Sequence, residues 1–302
     1  MASLFEYIGM HKLEEYIDKA GVLIEALPYI QAFRGKIVVV KYGGSTMSGK
    51  DEVDTVLKDL VFMESVGMKP VIVHGGGAAI DRRLRELGIE TQRVKGLRVT
   101  DKASMKVVEE TLCGEVNAGL VEEIEELGGG AVGISAKEAG IMHVRKYLEH
   151  TPEGEVDLGY VGEVEHIDAG PLFELIDHGL LPVVAPIGRG PQGESYNVNA
   201  DTAAGEIAAA LQAEKLVFLT DVMGIMGNPD EEDTLLSTVH VGEVNELIEG
   251  GTIGGGMIPK VGACVQSVKA GVRKTHIIDG RIPHSMLLEF FTDEGIGTQI
   301  VQ

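Results

Sequence analysis

Ile37-Val38-Val39-Val40-Lys41-Tyr42-Gly43-Gly44-Ser45 is a short apolar run that ends in a lysine and opens into a glycine turn. Further on, Pro70-Val71-Ile72-Val73-His74 runs into Gly75-Gly76-Gly77. Runs of this length, rich in β-branched residues, read as buried strands, and the longer apolar-polar stretch between them, 53–66, reads as a helix. The unit is β-α-β, which implies a parallel sheet covered by helices on both faces. Glycine removes the Cβ, so backbone N–H groups at such turns can approach phosphate oxygens, and a following helix N-terminus adds positive potential. A glycine after a strand also serves simply to turn the chain, which leaves either turn alone ambiguous. Two turns together with a strand-end lysine favour a phosphate site.

The alternation continues outward from this unit. A helical pattern at 78–87 follows the second turn, and further strands are predicted at 131–134, 142–144, 183–187, 216–219 and 275–278. Helical periodicity marks 102–127, 171–178, 202–211, 241–249 and 259–270. The expected fold class is α/β, with an open, mainly parallel sheet sandwiched between helices. Residues 147–166, rich in glycine and acids, read as a hairpin or a mobile loop. Before the first strand, Tyr16, Ile17, Ala20, Leu23, Ile24, Leu27, Ile30 and Phe33 form a helical stripe, weakened at Gly21 and expected to kink at Pro28. A helix placed there cannot be a crossover, so its stripe must pack on its own subunit or on a partner.

Composition narrows the function classes. The 302 residues, 44% hydrophobic and 24% charged, suit one large domain or two lobes with ample core. Cys113 and Cys264 are too few and too far apart for a disulfide framework or a zinc site, which points to a reducing compartment. No apolar stretch reaches membrane-spanning length, and the acidic N-terminus resembles neither a signal nor a transit peptide, so a cytoplasmic location is expected. A net charge of −21 argues against nucleic-acid binding. Any anionic substrate therefore needs a cleft that supplies its own positive field.

Several motifs are excluded by what they lack. Gly44 to Lys50 nearly spells a P-loop, but Asp51 stands where a hydroxyl should hold magnesium. His74-Gly75-Gly76-Gly77 has the form of an esterase oxyanion loop, yet the chain contains no Gly-x-Ser-x-Gly elbow. Other clusters remain. Gly96-Leu97-Arg98-Val99-Thr100-Asp101 puts an arginine, whose planar fork suits a carboxylate or a surface ion pair, in a turn before a helix that Thr100 or Asp101 could cap. Tyr196-Asn197-Val198-Asn199-Ala200-Asp201 places short polar side chains at alternating positions, with Asp201 either an N-cap or part of a binding edge. Gly254-Gly255-Gly256-Met257-Ile258-Pro259-Lys260 sets a lysine in the first turn of a helix, against the dipole, a cost that a bound anion would offset.

Taken together and in this order, Lys41-Tyr42-Gly43-Gly44, His74-Gly75-Gly76-Gly77, Gly96-Leu97-Arg98-Val99-Thr100, Asn197-Val198-Asn199-Ala200-Asp201 and Gly256-Met257-Ile258-Pro259-Lys260 resemble the amino acid kinase family over nearly the whole chain. The resemblance implies ATP-dependent phosphorylation, with Mg²⁺ on the ATP phosphates and no metal ligands from the protein, of the γ-carboxylate of N-acetyl-L-glutamate in arginine biosynthesis. It implies catalytic roles for Lys41, Lys260 and Asp201, and substrate contacts from Gly44, Gly76, Gly77, Arg98, Asn197 and Asn199. It divides the chain into an N-terminal oligomerisation helix (1–35), a lobe for the acetylamino acid (36–210) and a lobe for ATP and arginine (211–302). Glu25-Ala26-Leu27-Pro28-Tyr29-Ile30 is similar to the extra helix of arginine-inhibited members, which implies a homo-hexamer, a trimer of dimers, and an L-arginine site at Tyr29, His276, Glu289 and Gly295. A PII-type signalling protein is a further partner that the resemblance admits. A kinase for a related acid such as N-acetyl-aminoadipate, or a non-catalytic arginine sensor, stays open beside it, since a single methylene discriminates weakly.

Overall fold

The computed structural model describes residues 10–43, 55–151, 154–228, 231, 234–293 and 295–302. An α-helix, α1 (Met10–Phe33), leads into the sheet and continues through Pro28. The core then alternates as predicted: β1 (Ile37–Tyr42), α2 (Thr55–Ser65), β2 (Lys69–His74) and α3 (Gly77–Glu86). A two-stranded ribbon, β3 (Arg93–Val94) and β4 (Leu97–Arg98), follows, so Arg98 sits on a strand and not in the turn that the sequence suggested. Next come α4 (Lys102–Glu109), a π-helical segment (Glu110–Val116) and α5 (Asn117–Glu126), which occupy the single helical span read at 102–127. The middle of the chain forms β5 (Ala131–Ser135), β6 (Met142–Thr151), β7 (Gly154–Ile167), α6 (Gly170–Asp177), β8 (Leu181–Ala185), β9 (Ile187–Arg189) and β10 (Ser195–Asn197). The remainder is α7 (Ala200–Ala210), β11 (Lys215–Thr220), β12 (Thr238–His240), α8 (Val244–Glu249), α9 (Met257–Lys269), β13 (Lys274–Asp279), α10 (Ser285–Phe290) and β14 (Thr298–Val301). Among the described residues, no helix is long and apolar enough to cross a membrane.

Among the described residues, eight strands form one sheet in the order β12-β14-β13-β11-β1-β2-β8-β5. From β13 to β5 every pairing is parallel; β14 joins β13 antiparallel, and β12 forms the edge, parallel to β14. β1 lies between β2, which follows it, and β11, which returns on its other side. That reversal of strand order opens a crevice at the carboxyl ends of the strands, where ligands bind in open α/β sheets. Lys41 stands at that end of β1.

The pleat decides which way Lys41 faces. Along β1, Val38, Val40 and Tyr42 pack into one apolar cluster with Leu57 and Leu60 of α2, while Val39 joins the other with Ala203 and Ile207 of α7 and Val261 of α9. Alternation with a period of two therefore sends Lys41 to the face covered by α7 and α9.

The segment read as a hairpin or loop supplies long arms, β6 against β7, that close with β9 and β10 into a small four-stranded barrel. The hairpin clasps the segment that carries Arg98: Thr100 N donates to Leu158 O at 2.9 Å, and Tyr160 N donates to Thr100 O at 2.6 Å. Gly159, between them, has φ +80°, and a Cβ there would lie 2.2 Å from Thr100 O. Gly159→Ala is expected to destabilise the chain by more than about 2 kcal/mol, since both the left-handed backbone and the clash oppose it. A urea titration of the variant beside the parent chain checks this.

Candidate active site

The sequence-predicted trio comes together at the crevice. Lys41 Nζ lies 3.0 Å from Asp201 Oδ1, and Lys260 Nζ lies 3.4 Å from Asp201 Oδ2. The three side chains come from the end of β1 and the first turns of α7 and α9. Asp201 is not the helix cap. Asn199 takes that role, its Oδ1 accepting from Asp201 N at 2.8 Å and Thr202 N at 3.1 Å. Because the cap is made by its neighbour, the Asp201 carboxylate is available to the ammonium groups. Burial pushes that carboxyl up, but Lys41 and Lys260 outweigh it and hold it below the usual carboxylate range. Two ammonium groups on one carboxylate leave an excess positive charge, and Lys260, unfavourable by itself at a helix N-terminus, is offset by its acid.

Gly43, at the end of β1, packs against Gly75, at the start of the second glycine turn. Gly75 N donates to Tyr42 O at 2.7 Å. A Cβ on Gly43 would lie 3.0 Å from Gly75 N, and one on Gly76 would lie 2.4 Å from Leu112 Cδ2, so both positions need the bare backbone. Beneath the turn, His74 is buried, with Nδ1 2.9 Å from Gly75 O and Nε2 3.0 Å from Asn117 Nδ2. This pattern fixes a neutral ring that donates from Nδ1 and accepts at Nε2. Asn117 also donates to Val183 O at 2.8 Å, and it is the first residue after the π-helical segment, whose extra turn width re-aims the helix at this point. Gly44, a sequence-predicted site residue, lies outside the described residues.

Beside the turns lies a cavity of about 160 Å³. Gly76, Gly77, Arg98, Asn197 and Asn199, all predicted from sequence, line it, as does Arg93. The N-termini of α3 and α7 both open onto it, which favours anions. Arg98 is 6% exposed; it donates to Asp81 Oδ1 and, at 3.2 Å, to Gly77 O. Asn197 Nδ2 donates to Thr100 Oγ1 at 3.4 Å. The sequence reading missed Asp81, Arg93 and Asn117, whose partners are remote in the chain and carry no local signature.

A second cluster gathers the residues expected to meet arginine. His276 Nδ1 and Glu289 Oε1 are 2.7 Å apart and buried, and Glu289 Oε2 accepts from Ile296 N at 2.9 Å and Gly297 N at 3.2 Å. Gly295 turns tightly around that carboxylate, with φ +66° and room for no Cβ: one would lie 2.8 Å from Glu289 Oε2. Tyr29, on α1, donates to Asp293 Oδ1 at 2.5 Å and meets Phe291 edge-on, so it borders the cluster through α10 and its following turn. Lys215, which sequence reading did not single out, lies 4.9 Å from the centre of the Phe33 ring and 4.3 Å from that of Phe290, and burial pushes its ammonium down to about 8. On α1 itself Ile17, Val22, Leu23 and Ile24 are exposed.

Comparison with known proteins converges with this geometry. The profile described as "Amino acid kinase family" matches residues 36–279. The acetylglutamate kinase of Moorella thermoacetica is 52% identical over 94% of this chain and 98% of its own length, and that of Heliobacterium modesticaldum is 50% identical over 95% and 99%. Among solved structures, an N-acetylglutamate synthase from Neisseria gonorrhoeae, complexed with coenzyme A and N-acetyl-glutamate, superposes with a TM-score of 0.80 at 28% identity. The match covers 94% of this chain and 63% of the synthase. Carbamate kinase from Giardia lamblia bound to AMP-PNP, at 18% identity and a TM-score of 0.63 over 89% of this chain and 99% of its own, shares the fold.

Burial pushes the His74 imidazole down from 6.5 to about 4. Above pH 6.5 the ring is neutral in both folded and unfolded chains; below it, only the unfolded chain takes the proton, until the pH nears 4. Stability is thus fully present above the upper value and declines toward the lower, by about 3 kcal/mol for this one group. Urea unfolding at a series of pH values is expected to show that decline, with a slope about one proton shallower in His74→Gln.

Proposed function

The chain belongs to the amino acid kinase family, and from that membership we propose that it transfers the γ-phosphoryl group of ATP to the γ-carboxylate of N-acetyl-L-glutamate, an acyl-phosphate-forming step of amino-acid biosynthesis. The observation that carries the reading is Asp201 between Lys41 and Lys260, at the crevice and beside a cavity lined by Arg98 and Asn197.

A carboxylate is already ionised at neutral pH, so the acceptor needs no general base. What remains is to align it with the phosphoryl group and to neutralise charge on the transferring oxygens. Lys41 and Lys260 approach from two sides, and Asp201 keeps both ammonium groups at a fixed separation. The N–H groups of the Gly76 turn, together with Gly44, receive oxygens of the acceptor and the phosphoryl group. Arg98 holds the α-carboxylate, and Asn197, with Asn199, holds the acetylamino end. Both Asp201 oxygens already face ammonium groups, so Mg²⁺ fits best on the ATP phosphates, where it supplies additional charge neutralisation. In this reading residues 36–210 form the lobe for the acetylamino acid, and residues 211–302 the lobe for ATP. Lys260→Ala is expected to lower kcat by about a hundredfold to a thousandfold, the scale of one lost transition-state donor. ATP should still bind in a fluorescence titration with a labelled analogue, and unchanged turnover would remove Lys260 from this role.

Regulation by L-arginine is the second part of the proposal. It is supported by the buried Glu289, the Gly295 turn and Tyr29 gathered where α1 meets α10, and by the apolar face that α1 leaves exposed. Glu289 offers a carboxylate for a guanidinium and Tyr29 a ring for its stem. The exposed face of α1 pairs with α1 of a neighbouring dimer, which joins three dimers into a hexamer. Millimolar arginine is expected to inhibit the purified enzyme, and light scattering should give the mass of six chains. A dimer, or turnover indifferent to arginine, argues against this part alone.

A further inference from the structure

The wall of the cavity holds a second guanidinium beside Arg98. In the β3–β4 ribbon Arg93 pairs directly across from Arg98, which places both side chains on one face. Asp81, on α3, bridges them: its Oδ1 accepts from Arg98, and its Oδ2 lies 2.9 Å from Arg93 Nη2. Burial pushes the Asp81 carboxyl up, but the two arginines outweigh it and hold it below its usual value. The acid is therefore charged, and it fixes the distance between two cations.

The arginines differ in what they have left to offer. Arg98 is buried and has a second commitment, to Gly77 O. Arg93 is 47% exposed, adds to its Asp81 contact, among the described residues, a long one from Nη1 to Gly96 O at 3.4 Å, and borders the cavity. Its ribbon is also held in place. Lys95, in the β3–β4 turn, reaches across to the hairpin, with Nζ 2.8 Å from Glu149 Oε1 and 2.9 Å from His150 O. Two guanidinium groups against one carboxylate leave a net charge of +1 on this wall, in a chain whose overall charge is −21. Such a pair, pre-spaced by a shared acid, has the donor geometry to receive one more carboxylate.

We propose that Arg93 grips the α-carboxylate of the acceptor together with Arg98, a two-arginine clamp spaced by Asp81, and so selects acceptors with a free carboxylate at the end remote from phosphoryl transfer. The inference rests on the acetylamino-acid reading of this cavity. It makes Arg93 a specificity residue, whereas an ordinary surface ion pair would make it dispensable.

Steady-state kinetics of the full chain at saturating ATP, with N-acetyl-L-glutamate and with its α-carboxamide, test it. Arg93→Ala is expected to raise KM for the acid by about tenfold to a hundredfold, the span of one charge-assisted hydrogen bond, with kcat largely kept. The preference for acid over amide should fall by a similar factor, and Arg93→Lys, which keeps the charge without the fork, should restore part of it. An unchanged preference overturns the clamp. That holds whether acid and amide are both turned over normally, as for an idle surface pair, or both suffer alike, as for a residue that merely buttresses Asp81. If the parent chain fails to phosphorylate N-acetyl-L-glutamate at all, the kinase reading itself falls, and the clamp with it.

Discussion

One carboxylate shared by two lysines constrains the rest of the site. Asp201 can serve both ammonium groups only because β1, α7 and α9 bring their ends to one point, and each does so for a different reason. The pleat of β1 directs Lys41 to the helical face, Asn199 caps α7 and leaves Asp201 unspoken for, and the glycine turn before α9 delivers Lys260 in its first turn. Burial opposes ionisation of the acid, and its two cations overcome that opposition. The cations are in turn held apart from each other at a separation set by the two oxygens. Charge is thus pre-arranged before any substrate arrives, which is what a reaction dominated by electrostatic stabilisation requires.

Support for the glycine turn comes from deeper in the molecule. His74 and Asn117 form a buried polar pair that ties the turn after β2 to the start of α5 and to β8. Asn117 reaches that position because seven residues of π-helix precede it, changing the phase of the helix at that point. Gly133 accommodates the amide, since a Cβ there would lie 2.0 Å from Asn117 Oδ1. The glycine turn after β2 is therefore positioned by buried hydrogen bonds beneath it.

Much of this was legible in the chain because strand and helix periodicities are local. The β-branched runs at 37–40 and 71–73, and the glycines after them, announce a parallel sheet and a phosphate-like mouth without reference to anything distant. Motif order points to Lys41, Asp201 and Lys260, and the family resemblance also implies the contact of Asp201 with both lysines that the fold shows. The sequence leaves Asp201 open between N-cap of α7 and binding edge, since Asn and Asp two residues apart compete for the cap and only geometry decides for Asn199. Arg98 was placed in a turn because two-residue strands such as β3 and β4 are too short to show alternation. Asp81 and Arg93 carry no signature of their own, as their meaning lies in a bridge between a helix and a ribbon. The hairpin of β6 and β7 could be suspected from its glycines, whereas its clasp on Thr100 could not.

The alternating burial of β1 also links folding errors to loss of activity. A slip of one residue would carry Lys41 to the side of Leu57 and Leu60 and turn the apolar residues that belong there toward α7. Such a chain would bury an ammonium group in an apolar layer and lose core packing in the same event. A stable but inactive conformer of this strand is therefore not accessible by simple misregistration. The packing of the core thus acts as a proofreading step for the face to which β1 presents its lysine.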